Sequence, residues 1–149
     1  MSGNKIKAYG LCVYRVINKK IEILLCKSVS SSDKWGCLKG LIEKNETKER
    51  CAKREFFEES SIRVNINTFE KYFEQKNEEK DIGVWIVNAK NIKDIEKYFI
   101  ENKLQNNYLS WENSSAKFFD IRELPKIRKK QKLLVLEITD FLKNNRQHR

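Results

Sequence analysis

Glu55, Glu58 and Glu59, in the run Arg54-Glu55-Phe56-Phe57-Glu58-Glu59, stand at i, i+3 and i+4. On a helix that spacing turns all three carboxylates to one side, within about 100° of arc. Like charges gathered so closely repel one another, so a cation belongs among them. A hard divalent ion such as Mg²⁺ or Mn²⁺ takes oxygen ligands and would hold the three together. Such an ion suits phosphate chemistry, since it neutralises anionic oxygens that otherwise repel an incoming water. Taken alone, an Arg-Glu-x-x-Glu-Glu run is equally a solvated helix face.

The rest of the chain offers few rivals for chemistry. The single histidine, His148, is the penultimate residue, which argues against histidine acid–base or nucleophilic catalysis. Cys12, Cys26, Cys37 and Cys51 fit no zinc-ligand spacing, and Cys12 and Cys26 fall in apolar, strand-like runs that predict buried thiols. No Gly-x-x-x-x-Gly-Lys-Ser/Thr loop is present to cradle a phosphate. Carboxylates and a metal are left to carry any phosphate chemistry.

A wider pattern surrounds the carboxylates. Gly40, five residues, Glu46, seven residues, Arg54-Glu55, apolar Phe56, one residue, Glu58-Glu59, one residue, small Ser61 and apolar Ile62 follow in order. This spacing resembles the Nudix box of hydrolases acting on nucleoside-diphosphate-linked substrates, and Trp35-Gly36-Cys37-Leu38-Lys39-Gly40 resembles the family's lead-in. The match covers residues 40–62 and departs at one defining position, where Ser61 replaces a second glycine. A residue just after a helix commonly sits at positive φ, which costs a non-glycine residue about 1 kcal/mol.

The resemblance implies a magnesium- or manganese-dependent nucleotide pyrophosphohydrolase with Glu55, Glu58 and Glu59 as metal ligands and a backbone carbonyl of Lys39 or Gly40 adding an oxygen. Arg54, always charged, is expected to bridge Glu46 and a helix carboxylate, fixing loop against helix. Glu58 and Glu112 are alternative general bases, with Glu78 and Glu79 weaker candidates. Trp111 beside Glu112, together with Lys39, is expected to touch substrate, whereas Trp85 reads as core. A dinucleoside polyphosphate is the first expectation for the substrate, the 5′ end of an RNA the second, and a nucleotide sensor without turnover the alternative from another class.

Thirty-one basic against 21 acidic side chains give a net charge of +10, which suits a polyanionic partner. The run Lys126-Ile-Arg-Lys-Lys-Gln-Lys132 and the tail from Lys143 to Arg149 concentrate that charge. It is also the composition of a solvated, lysine-rich helix surface. A 40% apolar and 35% charged chain of 149 residues reads as one soluble domain spanning 1–149, with no apolar run of ~18 residues and no signal-like N-terminus, hence a cytoplasmic protein. Monomer and homodimer are equally compatible with it.

The elements that must position these residues follow from periodicity. Residues 5–17 and 21–26 read as strands joined by a turn at Asn18-Lys19-Lys20, and 28–34 as a serine-rich loop. Thr47 caps a helix running to Glu59 or Ser60, held on a sheet by Ala52 and Phe56. Strands are expected over 63–66, 69–73, 81–89 and 116–121, with a helix over 92–104. Pro125 is expected to open a terminal helix over 126–143. The fold expected is α+β, similar to the Nudix α/β/α sandwich, with a mixed β-sheet between helices.

Overall fold

The computed structural model describes residues 5–30 and 33–145, so His148 and the tail beyond Asn145 lie outside the described residues. β1 (Ile6–Ile17) and β2 (Lys20–Ser28) form the opening hairpin. Asn18 and Lys19 between them both sit at positive φ, 51° and 67°, the two-residue turn whose twist matches that of paired strands.

This hairpin forks. β1 pairs with β2 only from Tyr14 to Ile17, whereas Ala8 to Leu11 pair with β4 (Leu38–Leu41). On the other prong, Cys26 and Lys27 of β2 pair with β3 (Trp35–Gly36). The stretch 35–41 is therefore wedged between the prongs. Gly10 lies on the inner side of the fork, where a Cβ would overlap the Leu38 carbonyl oxygen, so no side chain fits without moving backbone.

The sheet is completed by β5 (Tyr72–Lys76), β6 (Lys80–Asn88), β7 (Phe99–Ile100), β8 (Lys103–Leu104) and β9 (Asn113–Asp120). Its order is β5-β6-β1-β2-β9-β8-β7, with β6 parallel to β1 and the other pairings antiparallel. A mixed sheet results.

Alternation along the central strands divides the core in two. Tyr9, Leu11, Val13, Leu24, Trp85 and Val87 face α1 (Lys48–Ser60), which contributes Cys51, Ala52 and Phe56. Cys12, Tyr14, Ile23, Leu25, Val84 and Ile86 face α2 (Lys132–Asn144), which contributes Leu134, Val135, Ile138 and Leu142. This is the expected α/β/α sandwich. All four cysteines are buried and free, and Trp85 is core. Among the described residues no helix is long and apolar enough to cross a membrane.

Four sequence expectations give way. Residues 63–65 form no strand and lead into a 3-10 turn at Ile66–Thr68, because the Asn65 side chain accepts from the Asn67 N–H at 2.9 Å and turns the chain. The next strand begins at Tyr72 rather than at 69. The helix expected over 92–104 is a pair of turns and a short hairpin: Asp94 (φ 54°) and Glu101 (φ 58°) take left-handed conformations that no α-helix continues through. Ile92, Ile95 and Leu104 are nonetheless buried, so their spacing reports burial without reporting helix. Pro125 opens no helix either. The Lys126 carbonyl accepts from Trp35 N–H at 2.8 Å and Arg128 N–H donates to the Trp35 carbonyl at 2.9 Å, so this stretch is extended and α2 starts at Lys132.

Candidate active site

Thr47 caps α1, its hydroxyl accepting from the Arg50 N–H at 3.1 Å. Phe56 is fully buried under the helix, and covering a side chain of that size stabilises the docking by about 1.5–3 kcal/mol. With Cys51, Ala52 and Phe56 turned to the sheet, the helix flank beside β4 carries Glu55, Glu58 and Glu59. They line one cleft of ≈ 470 Å³ together with Lys39, Gly40 and Glu112. Gly40 is a contact requirement: a Cβ there would overlap the Glu55 carboxyl group.

Arg54 organises the loop entering the helix. Its Nε donates to Glu46 Oε2 at 2.6 Å and its Nη2 to Glu46 Oε1 at 2.9 Å, a bidentate fork. Nη2 also donates to the Leu41 carbonyl at 3.1 Å, while Nη1 reaches Glu55 Oε2 at 2.7 Å and Glu58 Oε1 at 3.3 Å. One guanidinium thus ties strand end, loop and helix. Beside it the Glu46 carboxyl is held below its ordinary range, chiefly by the Arg54 hydrogen bond.

The cleft is electrostatically uneven. Burial pushes the Glu59 carboxyl up to about 8, with Glu55 and Glu112 adding to the shift and Lys39 opposing it. Burial also raises Glu55, against the pull of Arg54. Glu59 Oε1 is buried and makes no hydrogen bond. A buried carboxylate oxygen without a partner is costly unless a cation or donor meets it. Among the described residues no three acidic, cysteine or histidine side chains form a closed cluster, and Arg54 Nη1 engages both Glu55 and Glu58. Hard oxygen donors with one left unmatched fit a divalent ion by their chemistry.

The structure brings most of the sequence candidates together. Glu46 and Arg54 line an adjoining groove with Arg50, Lys53 and Phe57. Trp111 is 85% exposed and does not line the cleft, although its neighbour Glu112 does. Glu78 and Glu79 form the turn between β5 and β6 and stand apart from the cleft. Ser61 does occupy the left-handed region, at φ 66° and ψ 8°. Its N–H donates to the Phe57 carbonyl at 2.7 Å and its hydroxyl to the Tyr108 carbonyl at 2.9 Å, a bond that glycine cannot make.

Arg128 and Asn113 also line the cleft, a placement the sequence does not assign to either. Arg128 is the one arginine in the run 126–132 among four lysines, and nothing in its spacing places it in a cleft. Asn113 follows Glu112 in a polar loop and carries no motif. Its place comes from pairing with Ser28 across β9 and β2, a long-range register.

Comparison with known proteins gives a consistent result. A family profile described as NUDIX domain matches residues 7–137. The chain is 29% identical over 97 residues to the bis(5'-nucleosyl)-tetraphosphatase [asymmetrical] of Caenorhabditis elegans, covering 61% of this chain and 70% of that protein. The crystal structure of a C. elegans Ap4A hydrolase binary complex superposes with a TM-score of 0.65 at 23% identity, over 94% of this chain and 99% of that one. The NUDIX domain of Shewanella oneidensis NrtR, complexed with ADP ribose, gives a TM-score of 0.63 at 10% identity, over 93% and 88% of the two chains. At these identities the structural likeness is one of fold.

Proposed function

The chain belongs to the NUDIX family, and from that premise we propose that it is a magnesium-dependent hydrolase cleaving a phosphoanhydride bond in a dinucleoside polyphosphate. The C. elegans tetraphosphatase relative supports that substrate over other nucleotides. The observation that carries the reading is Glu59, whose unmatched, buried carboxylate oxygen lies in the same cleft as Glu55, Glu58 and Glu112.

Glu55, Glu58 and Glu59, with the Gly40 carbonyl, are the groups to hold Mg²⁺ or Mn²⁺. When bound, such an ion neutralises phosphate charge and acidifies a water molecule. Lys39 places an ammonium at the cleft for a phosphate oxygen. Glu112 is the better placed general base, because Glu58 is already engaged by Arg54 at 3.3 Å while Glu112 stands exposed at the cleft. Arg54 and Glu46 hold the helix and loop in register without touching substrate. The same reading takes the chain as one domain working in the cytoplasm, where its four free thiols would stay reduced.

The test is turnover of diadenosine tetraphosphate against 5′-triphosphorylated RNA in Mg²⁺, with products identified. Faster release from the dinucleotide is expected, and Glu59→Gln should lower that rate at least about 100-fold with an unchanged fold by circular dichroism. Equal rates for wild type and Glu59→Gln would sink the site. Preferential pyrophosphate release from the RNA would overturn the substrate, and nucleotide binding without any turnover would make the protein a sensor.

A further inference from the structure

Arg128 is half-buried and has two guanidinium nitrogens with nothing to bind. Its Nε and Nη2 are both shielded from solvent and without a hydrogen-bond partner, yet the residue lines the same cleft as the helix carboxylates. An orphaned guanidinium is among the costliest groups to bury, since its donors give up water for nothing. The Asn113 amide nitrogen, lining the same cleft, is likewise buried and unmatched. Arg128 is held there from the backbone, its N–H donating to the Trp35 carbonyl at 2.9 Å and its own carbonyl accepting from the Gln131 N–H at 2.9 Å. The neighbouring Lys129 and Lys130 are exposed and line no part of this cleft, so the guanidinium is singled out by position.

We propose that Arg128, assisted by the Asn113 amide, grips an anionic oxygen of the substrate's polyphosphate chain in the cleft that the α1 carboxylates also line. N–H donors and carboxylates lining one cleft match the two things a metal-bound polyphosphate presents. Its free oxygens need N–H groups, and its metal needs carboxylates. The planar guanidinium can donate two parallel bonds to one phosphate, which an ammonium cannot. This inference rests on the polyphosphate substrate proposed above and adds the residues that hold it.

The experiment compares wild type, Arg128→Ala, Arg128→Gln, Arg128→Lys, Asn113→Ala and, as a control that removes one distant exposed cation, Lys93→Ala. Kinetics on diadenosine tetraphosphate are measured alongside calorimetric binding of inorganic tripolyphosphate in EDTA, inhibition by adenosine, and thermal melting. Arg128→Ala and Arg128→Gln should each lose about 10- to 100-fold in kcat/KM and weaken tripolyphosphate binding in parallel, as expected for one lost charge-assisted contact. Arg128→Lys should recover part of both, Asn113→Ala should lose less, and Lys93→Ala should match wild type. Adenosine inhibition should not move, because the contact is to phosphate, and the melting temperature of Arg128→Ala should not fall, because the backbone bonds remain and an unmatched buried group is removed. Wild-type tripolyphosphate binding in both Arg128→Ala and Arg128→Gln would overturn the inference. Should wild type fail to cleave the dinucleotide, the substrate proposal falls, while the tripolyphosphate titration still decides the fate of Arg128.

Discussion

Glu46 accepts two parallel hydrogen bonds from Arg54, at 2.6 and 2.9 Å, across the loop that joins β4 to α1. Removing the arginine strands a carboxylate whose side chain is only 12% exposed. Arg54→Ala should therefore cost about 1–3 kcal/mol and lower the melting temperature by about 2–8 °C. Activity should fall as well, since Glu55 and Glu58 lose the group that orients them. Arg54→Lys should recover little, because an ammonium cannot make the fork. A melt indistinguishable from wild type for Arg54→Ala would show that the fork stabilises nothing.

Gly40 tests how closely a strand must approach a carboxylate. In Gly40→Ala the new methyl overlaps the Glu55 carboxyl, and either the side chain or β4 has to shift. Overpacking of this kind costs about 1–3 kcal/mol. The expected signature is a raised metal concentration for half-maximal rate with a modest loss of stability. Unchanged metal dependence would mean that Glu55 is free to move without consequence.

Trp111 supplies its own optical readout. Trp35 and Trp85 are each 8% exposed while Trp111 is 85% exposed, so acrylamide quenching reports mainly on Trp111. If a base of the substrate stacks there, a non-hydrolysable dinucleotide analogue should protect it. Trp111→Ala should then weaken binding by about 1–3 kcal/mol. Quenching that is indifferent to nucleotide would remove Trp111 from the substrate path.

Alkaline pH should destabilise the fold. The Cys12 thiol is raised well above its ordinary value, by a hydrogen bond with the Cys37 thiol and by burial. The Tyr14 hydroxyl is also raised, by burial and by its 2.7 Å bond to Glu70. Both groups keep their protons in the folded chain after the unfolded chain has released them, near pH 8.5 for Cys and 10 for Tyr. Their contribution is complete below those values and is lost as pH rises above them, at up to about 1.4 kcal/mol per pH unit for each group. The melting temperature should fall between about pH 8.5 and 10.5, and Cys12→Ala should flatten that fall. A melting temperature that rises over this interval would contradict the burial of these groups.

Legibility from the sequence followed how local each cause is. Thr47, the carboxylate triplet and the Glu46–Arg54 pair act within one helix turn or one loop, and their spacing alone announced them. Strand alternation was equally readable, because β1, β2 and β6 carry apolar residues on both faces. The stretch 92–104 misled because buried positions at Ile92, Ile95 and Leu104 fit a helix equally well, and the deciding facts are backbone angles at Asp94 and Glu101. Residues 126–128 were misread for a different reason: Trp35, some ninety residues earlier, claims their backbone groups. Arg128 was legible as part of a basic run, but its place in the cleft was not, since the bridge to Trp35 sets that place.

The wedge of residues 35–41 in the fork of the opening hairpin has a consequence for local unfolding. Lys39 and Gly40 sit on a seam, paired to Gly10 and Tyr9 of β1, and not on a peripheral edge. The β1-bonded backbone of this stretch is freed only when a prong of the sheet opens, so protection of those amides should approach that of the whole domain. Glu112, by contrast, sits at the exposed start of β9, where opening is local and cheap. The two walls of one cleft would then breathe on different clocks, with a rigid floor for the metal and a yielding lip where the rest of the substrate must enter and leave.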